Sequence, residues 1–273
     1  MDGYATLFLP SNAGPLTAFT QPGNGPVVLF QHGLCGDAAQ PAEVFPTGHG
    51  FSHAVLNCRG HGASPLGHPE NLSIASFTDD LATLASRLKP VAVGGISLGA
   101  AMALRLAVTR PDLVPALILS RPAWVTDAAP ANIAPNAEVG ALIAAHAPLA
   151  TFDASPTARA LATTSPDNLA SLRGFFARQP LPETAALLTR IAADGPGVTP
   201  DQLKSLTIPT LILGSDADHI HPMALAETLA RLIPHATLVK LPPKGRDRAA
   251  HIAACQSAIL HFLKGLPDAP SAR

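Results

Sequence analysis

The chain has 273 residues, of which 47% are hydrophobic and 14% are charged. Its 18 Lys and Arg residues against 19 Asp and Glu residues give a formal net charge of −1. The length suits one or two folded domains, and this composition argues against a basic nucleic-acid-binding protein and against a disordered chain. The three cysteines, at positions 35, 58 and 255, are too few and too scattered for a disulfide framework or a Cys-rich zinc site.

The N-terminal segment MDGYATLFLP lacks a basic region followed by a long apolar one, so we expect no signal peptide. No stretch approaches the roughly 18 uninterrupted apolar residues of a transmembrane helix. These features predict a cytoplasmic protein that binds neither nucleic acid nor membrane. They do not indicate an oligomeric state.

Short apolar segments alternate with segments of helical periodicity along most of the chain. The alternation is typical of a mostly parallel sheet with helices on both faces, and the first two strands read as a hairpin. Strands are predicted at 4–10, 16–20, 26–33, 53–58, 91–95, 116–120, 209–214 and 237–241, and helices at 73–88, 98–110, 222–232 and 249–263.

Residues 122–205 interrupt this alternation. The segment is rich in Ala, Pro and Thr and contains helical fragments but no convincing strand. We expect a helical cap inserted into a core made of residues 1–121 and 206–273. The cap either forms a lid over a pocket, with Trp124, Phe175 and Phe176 as candidate contacts, or packs as peripheral helices.

A serine stands at the junction of a predicted buried strand and a helix, in the sequence Gly95-Ile-Ser97-Leu-Gly99. This is the context of a nucleophile elbow, in which a sharp turn lifts one side chain above the sheet. Side chains two residues before and two after would collide with the turn, and both positions are Gly. The N-terminus of the helix that begins at Leu98 favours a developing oxyanion. Ser97 is therefore the predicted nucleophile.

An oxyanion hole needs two backbone N–H donors. Leu98, directly after the serine, supplies the first. The second is expected from the loop after an earlier strand, where His32-Gly33-Leu34 stands, and we assign it to Leu34. His32 and Gly33 are expected to line the substrate site, with His32 orienting the loop rather than acting as the base.

The acid is expected in the sequence DADHIHP at 216–222, because carboxyl ends of parallel strands share one edge of the sheet. Asp216 and Asp218 both qualify, and Asp218 is preferred because it lies on the exposed part of the loop. The two Asp and two His residues of this loop also suggest a metal site, but four ligands so close in sequence rarely converge on one ion. We expect no metal, and we read His219 and His221 as pocket-edge or surface residues.

The base is expected to be a histidine after the acid. His219 and His221 are close to Asp218 in sequence, His235 precedes the last strand, and His261 lies deep in the final helix. His251 follows the last strand near the start of that helix. It is therefore the predicted base, held by Asp218 and taking the Ser97 proton.

The motifs HG at 32–33, RGHG at 59–62, GISLG at 95–99 and DADHIHP at 216–222, followed by His251, resemble the α/β-hydrolase superfamily in kind and order. The resemblance covers nearly the whole chain. It implies a doubly wound sheet of eight-strand type with an inserted cap, and the triad Ser97, Asp218 and His251. Where relatives carry Gly-His after the last strand, this chain reads KGRDR at 244–248.

The first functional hypothesis is hydrolysis of a small-molecule carboxylic ester or lactone through an acyl-enzyme. No phosphate-cradling loop or other cofactor motif is present, so we expect no cofactor. An acyltransferase or a C–C bond hydrolase would use the same triad. A non-catalytic ligand-binding protein and a metal-dependent hydrolase are further alternatives. Fold class does not specify the substrate.

Overall fold

A computed structural model describes Met1 and residues 3–267. Eight strands form one sheet in the order β1-β2-β4-β3-β5-β6-β7-β8. β1 and β2 form the predicted antiparallel hairpin, β2 pairs antiparallel with β4, and all other pairs are parallel. The strands are β1 Ala5–Leu9, β2 Leu16–Thr20, β3 Val27–Gln31, β4 Ser52–Leu56, β5 Ala92–Ile96, β6 Leu117–Ser120, β7 Thr210–Ser215 and β8 Ala236–Leu241.

All four predicted helices are present, with ends within about two residues of those expected. Ser73 caps the helix that follows it, accepting a hydrogen bond from the Ser76 amide, as its sequence position indicates. A short first helix at 39–44 was not predicted, since six residues give little periodicity. The helices are α1 Ala39–Val44, α2 Ile74–Leu88, α3 Leu98–Thr109, α4 Ala134–Ala144, α5 Leu149–Asp153, α6 Pro156–Thr164, α7 Pro166–Gly174, α8 Leu181–Ala192, α9 Pro200–Lys204, α10 Met223–Leu232 and α11 Arg248–Lys264.

Each face of the sheet buries its own apolar layer. Helices α2, α3 and α10 pack on one face, and α1 and α11 pack on the other. Successive side chains of β3 alternate between the two layers, with Leu29 in the first and Val28 and Phe30 in the second. This explains why the central strands are apolar along their whole length, and it confirms the predicted doubly wound sheet.

Helices α4–α9 lie between β6 and β7, where the sequence predicts an insertion, and the segment 122–205 contains no strand. These helices have a separate apolar cluster that includes Val139, Phe152, Leu169 and Leu188. Leu34, from the loop after β3, packs against the same cluster. The helices therefore rest on the loop that follows β3, and the exact cap boundaries stay a prediction. Within the described residues, no helix combines the length and apolar character needed to cross a bilayer.

Candidate active site

Ser97 occupies a sharp turn between β5 and α3. Its backbone has φ 56° and ψ −108°, a conformation that non-glycine residues rarely adopt. Such strain persists where the surrounding structure enforces it. The Ser97 amide donates to Ser120 on the neighbouring strand at 3.0 Å, and its carbonyl accepts from Ala101 in the first turn of α3. These bonds fix the turn from both sides.

Glycine is required on both sides of this turn. A Cβ atom at Gly95 would lie 2.7–2.8 Å from the backbone of Gly99. A Cβ atom at Gly99 would lie 2.7 Å from both the Cβ atom and the carbonyl oxygen of Gln31 on β3. The local geometry is therefore that of the elbow that the sequence predicts around Ser97.

The loop after β3 lies beside the elbow, and its amides are mostly engaged. Gly33 N–H donates to Gln40 Oε1 at 2.6 Å, and Cys35 N–H donates to His61 Nε2 at 2.9 Å. The amides of Leu34 and Leu98 have no acceptor among the described residues, so both are available to a bound oxyanion. Their assignment as oxyanion donors stays a prediction.

His32 and His61 hold this loop from beneath. His32 is fully buried, contacts the Gly33 carbonyl through Nδ1 at 2.8 Å, and accepts from the Cys58 amide through Nε2. Burial lowers the pKa of His32 to about 4 and holds the pKa of His61 well below its ordinary value. Both rings are therefore neutral near pH 7. His32 orients the loop, as expected, but unlike Gly33 it does not line the cavity beside Ser97.

Asp218 is buried and surrounded by donors. The Arg121 guanidinium donates to its Oδ2 atom from Nε at 2.8 Å and from Nη2 at 2.6 Å. Asn168, from α7 of the cap, donates to Oδ1 at 3.0 Å. Burial disfavours the carboxylate, but the charges of His221 and Arg121 and their hydrogen bonds outweigh it, so the pKa of Asp218 lies well below its ordinary value. Asp218 is thus a fixed anion.

The histidine beside Asp218 is His221, which the sequence interpretation set aside. His221 Nδ1 lies 2.9 Å from Oδ1 and 3.0 Å from Oδ2 of Asp218, and the His221 amide donates to Oδ1 at 3.1 Å. The turn folds the loop back on itself, so a residue three positions after the acid reaches its carboxylate. The expectation that His221 is a surface residue is wrong, because it is 9% exposed, but the alternative expectation that it borders the pocket agrees with its position in the wall of the cavity that contains Ser97. His219, by contrast, is exposed.

His251, the predicted base, lies in the first turn of α11. Its Nδ1 atom is 2.8 Å from the Pro242 carbonyl oxygen, and no hydrogen bond joins it to Asp218 or Ser97 in the described residues. Burial lowers its pKa. The structure thus brings Asp218 to the site but does not join His251 to it. Asp216, the alternative acid, is exposed and forms an ion pair with Lys240 at 2.5 Å.

Two neighbouring cavities open at this edge of the sheet, each of about 360 Å³. Ser97 and His221 line the first cavity, and His251 lines the second. The two cavities share part of their walls, including Ile96 and Arg121, which lie between the cavities. Much of the remaining wall of the first cavity is apolar, and it is contributed by Leu34, Trp124, Ile133, Leu172, Phe175 and Ile220.

Two of the three predicted aromatic lid contacts, Trp124 and Phe175, line the cavity that contains Ser97. Phe176 packs on Phe152 inside the cap instead, with ring centroids 6.1 Å apart. Cap helix α7 contributes Asn168 and Leu172 to the same wall. Among the residues that the structure describes, no cluster of three or more His, Cys, Asp or Glu side chains could hold a metal ion.

Comparison with known proteins places this geometry in context. The chain is 29% identical over 245 residues to an sn-1-specific diacylglycerol lipase of Mus musculus, covering 81% of this chain and 75% of that one. It is 34% identical over 131 residues to an esterase of Mycobacterium tuberculosis, covering 47% and 42%.

Solved structures show the same fold. An α/β hydrolase enzyme from a Medee basin deep-sea metagenome library superposes with a TM-score of 0.73 at 17% identity, covering 97% of this chain and 100% of that one. A thermophilic esterase of Thermogutta terrifontis superposes with a TM-score of 0.67 at 22% identity, covering 94% and 99%. The family model described as the alpha/beta hydrolase fold matches residues 26–247. With its sheet order, glycine-flanked serine and matched family model, this chain belongs to the α/β hydrolase fold family.

Proposed function

We propose that this protein is a serine hydrolase that cleaves a carboxylic ester or lactone, with Ser97 as the nucleophile. The observation that carries the proposal is the strained elbow of Ser97 at a cavity that His221 also lines, with the His221 ring in contact with the Asp218 carboxylate. Three elements of nucleophilic catalysis thus meet at one edge of the sheet. The lipase and esterase names of the two sequence relatives support an ester substrate.

The reaction follows from these groups. The Ser97 oxygen attacks the carbonyl carbon, and the carbonyl electron pair moves to the oxygen, forming an oxyanion to which the N–H groups of Leu34 and Leu98 donate hydrogen bonds. An imidazole takes the Ser97 proton and returns it to the departing alkoxide as the C–O bond breaks. Water then attacks the carbonyl carbon of the acyl-enzyme and loses a proton to the same imidazole. The imidazole gives this proton to the Ser97 oxygen as its bond to the acyl carbon breaks, which releases the carboxylic acid and regenerates the serine. For a lactone, the alcohol and the acid are parts of one molecule.

The cavity indicates the substrate's size and polarity. Its volume of about 360 Å³ is near the lower end of ordinary ligand sites, and its aliphatic and aromatic wall suits a short or medium acyl group. Of the cations that line the cavity, Arg121 pairs with Asp218 and Lys244 lies 3.4 Å from Asp167. Arg178 donates to the carbonyl oxygens of Cys35 and Gly60 and to Thr184 Oγ1. The proposed substrate is a small ester or lactone.

The test is covalent labelling combined with turnover. A fluorophosphonate should label the wild-type protein on the peptide that contains Ser97, and p-nitrophenyl esters or lactones of graded acyl length should be hydrolysed. The Ser97→Ala variant should lose labelling and at least about a thousandfold in kcat. Labelling at another residue, or turnover that survives in Ser97→Ala, would refute the proposal.

A further inference from the structure

The Asp218–His221 contact determines which ring nitrogen of His221 carries hydrogen. The carboxylate of Asp218 only accepts hydrogen bonds, so His221 Nδ1, at 2.9 Å from Oδ1, is the donor. In the neutral imidazole, Nε2 is then the basic nitrogen, with a free lone pair. This is the tautomer that a general base requires.

His221 Nε2 is buried and has no hydrogen-bond partner among the described residues. Buried polar atoms are paired in most proteins, so an unpartnered one requires an explanation. The ring lines the cavity beside Ser97. The hydroxyl of Ser97 caps none of the α3 amides. The cavity is therefore lined both by an acceptor without a donor, His221 Nε2, and by the Ser97 hydroxyl, a donor that caps no helix amide.

We propose that His221, three residues after the acid in the same loop, is the general base that takes the proton of Ser97. The inference deepens the proposed hydrolase function and rests on it. When substrate enters, the Ser97 oxygen forms its bond to the carbonyl carbon while its proton passes to His221 Nε2. The imidazolium is stabilised by Asp218 and gives the same proton to the leaving alkoxide. Catalytic hydrogen bonds are often long in unliganded sites and shorten when substrate binds.

The position of His251 supports this assignment. His251 opens into the second cavity, and Ile96 and Arg121 stand between that cavity and the one that contains Ser97. The Pro242 carbonyl contacts its Nδ1 atom, and within the described part of the chain no carboxylate forms a hydrogen bond with the ring. Asp218 raises the pKa of His251 only as a charge at a distance, whereas it contacts the His221 ring directly.

The charges around the His221 ring are consistent with a base that is neutral before reaction. Burial lowers the pKa of His221, Asp218 raises it, and Arg121 lowers it again, with a net decrease from the ordinary value. The ring is therefore unprotonated near pH 7 and can accept a proton. Lys244, in the loop before α11, also lowers this pKa.

The experiment compares three histidine variants of the full chain. His221→Ala should lose at least about a hundredfold in kcat for a p-nitrophenyl ester, the usual contribution of a general base. His219→Ala, two residues away on the same loop but exposed, is the matched control and should retain wild-type turnover. Added imidazole should restore turnover in His221→Ala and leave Ser97→Ala inactive, which a merely structural role of His221 would not produce.

The possible results distinguish a wrong assignment of His221 as the base from a failure of the proposed hydrolase function. If wild type labels at Ser97 and turns over while His221→Ala remains fully active, the hydrolase proposal stands and the assignment of His221 is wrong. The assignment of His221 is also wrong if His251→Ala loses turnover and regains it with imidazole while His221→Ala does not. If wild type neither labels at Ser97 nor hydrolyses any ester, the proposed function fails and the base fails with it.

A second measurement does not depend on the folding of His221→Ala. Wild-type protein labelled with [15N]histidine is followed by NMR before and after phosphonylation of Ser97, with signals assigned through His219→Ala and His251→Gln. The His221 ring should begin as the Nδ1-protonated neutral form and gain a proton or a hydrogen bond at Nε2. A response confined to the ring of His251 would overturn the inference.

Discussion

Arg121 allows the electrostatics of the site to be tested by a single substitution. Its guanidinium contacts Asp218, which in turn contacts His221. Replacing Arg121 with Gln removes a buried positive charge beside the imidazole. Because that charge disfavours the imidazolium, its removal raises the pKa of His221. The base then stays protonated up to a higher pH, and the acidic limb of the kcat/KM profile moves to higher pH.

The distances set the size of the effect. Arg121 Nη2 lies 2.6 Å and His221 Nδ1 lies 3.0 Å from the same oxygen of Asp218, so these two nitrogens are at most about 5.6 Å apart. Two unit charges at that distance, with an effective dielectric constant of about 20, interact by about 3 kcal/mol. Since about 1.4 kcal/mol corresponds to one pH unit, the limb should move by about two pH units.

The assay is the hydrolysis of a p-nitrophenyl ester across pH, read at the isosbestic wavelength of the product. kcat/KM is the relevant constant because it reports ionisations of the free enzyme. Arg121→Lys is the control, since it keeps the positive charge and should leave the limb near its wild-type position. A limb that stays in place in Arg121→Gln, or moves to lower pH, would contradict the assigned roles of Arg121 and His221.

Two further predictions concern stability. Gly99→Ala should lower the free energy of unfolding, measured in urea, by about 2–3 kcal/mol, because the added Cβ atom would lie 2.7 Å from the backbone of β3. Gly174→Ala is the control: its Cβ atom would meet nothing within 4 Å, so the free energy of unfolding should change by less than about 1 kcal/mol. Equal effects of the two would contradict this reading of the elbow. Burial lowers the pKa of His32 and His53 to about 4 and holds the pKa of His61 well below its ordinary value. Below about pH 6.5 the unfolded chain therefore binds protons that the folded chain does not. The free energy of unfolding should therefore fall as the pH drops from 6.5 to 4, by up to about 4 kcal/mol per pH unit for three histidines. A urea midpoint that is the same at pH 7 and pH 5 would contradict this prediction.

Local sequence patterns determine much of the core. The cap residue Ser73, the apolar strands and the glycine pair around Ser97 each report a local constraint that the structure satisfies. Helices α4–α9 were expected only as a group, because Ala-rich and Pro-rich segments show where helices start but not how they pack. His221 was not predicted as the partner of Asp218 for another reason. The acid and the base of a triad usually lie on different loops, so a histidine in the same turn as the acid was set aside.

A signal for His221 was present in the sequence. Asp and Asn side chains commonly accept hydrogen bonds from backbone N–H groups a few residues ahead, and such turns bring the following side chains close to the carboxylate. The spacing Asp218-x-x-His221 before Pro222 fits a turn of this kind. The segment KGRDR, where relatives carry Gly-His, pointed in the same direction, since it removes the usual histidine from the loop after β8.

Asn168 ties the cap to the loop that bears the acid. Besides its bond to Asp218, its side-chain oxygen accepts from the amides of His219 and Ile220 at 2.7 and 3.2 Å. Any movement of α7 away from the sheet breaks all three bonds together. The position of α7 and the hydrogen bonding of the loop 216–222 are therefore coupled, since α7 cannot shift without removing one donor from Asp218 and one acceptor from two backbone amides.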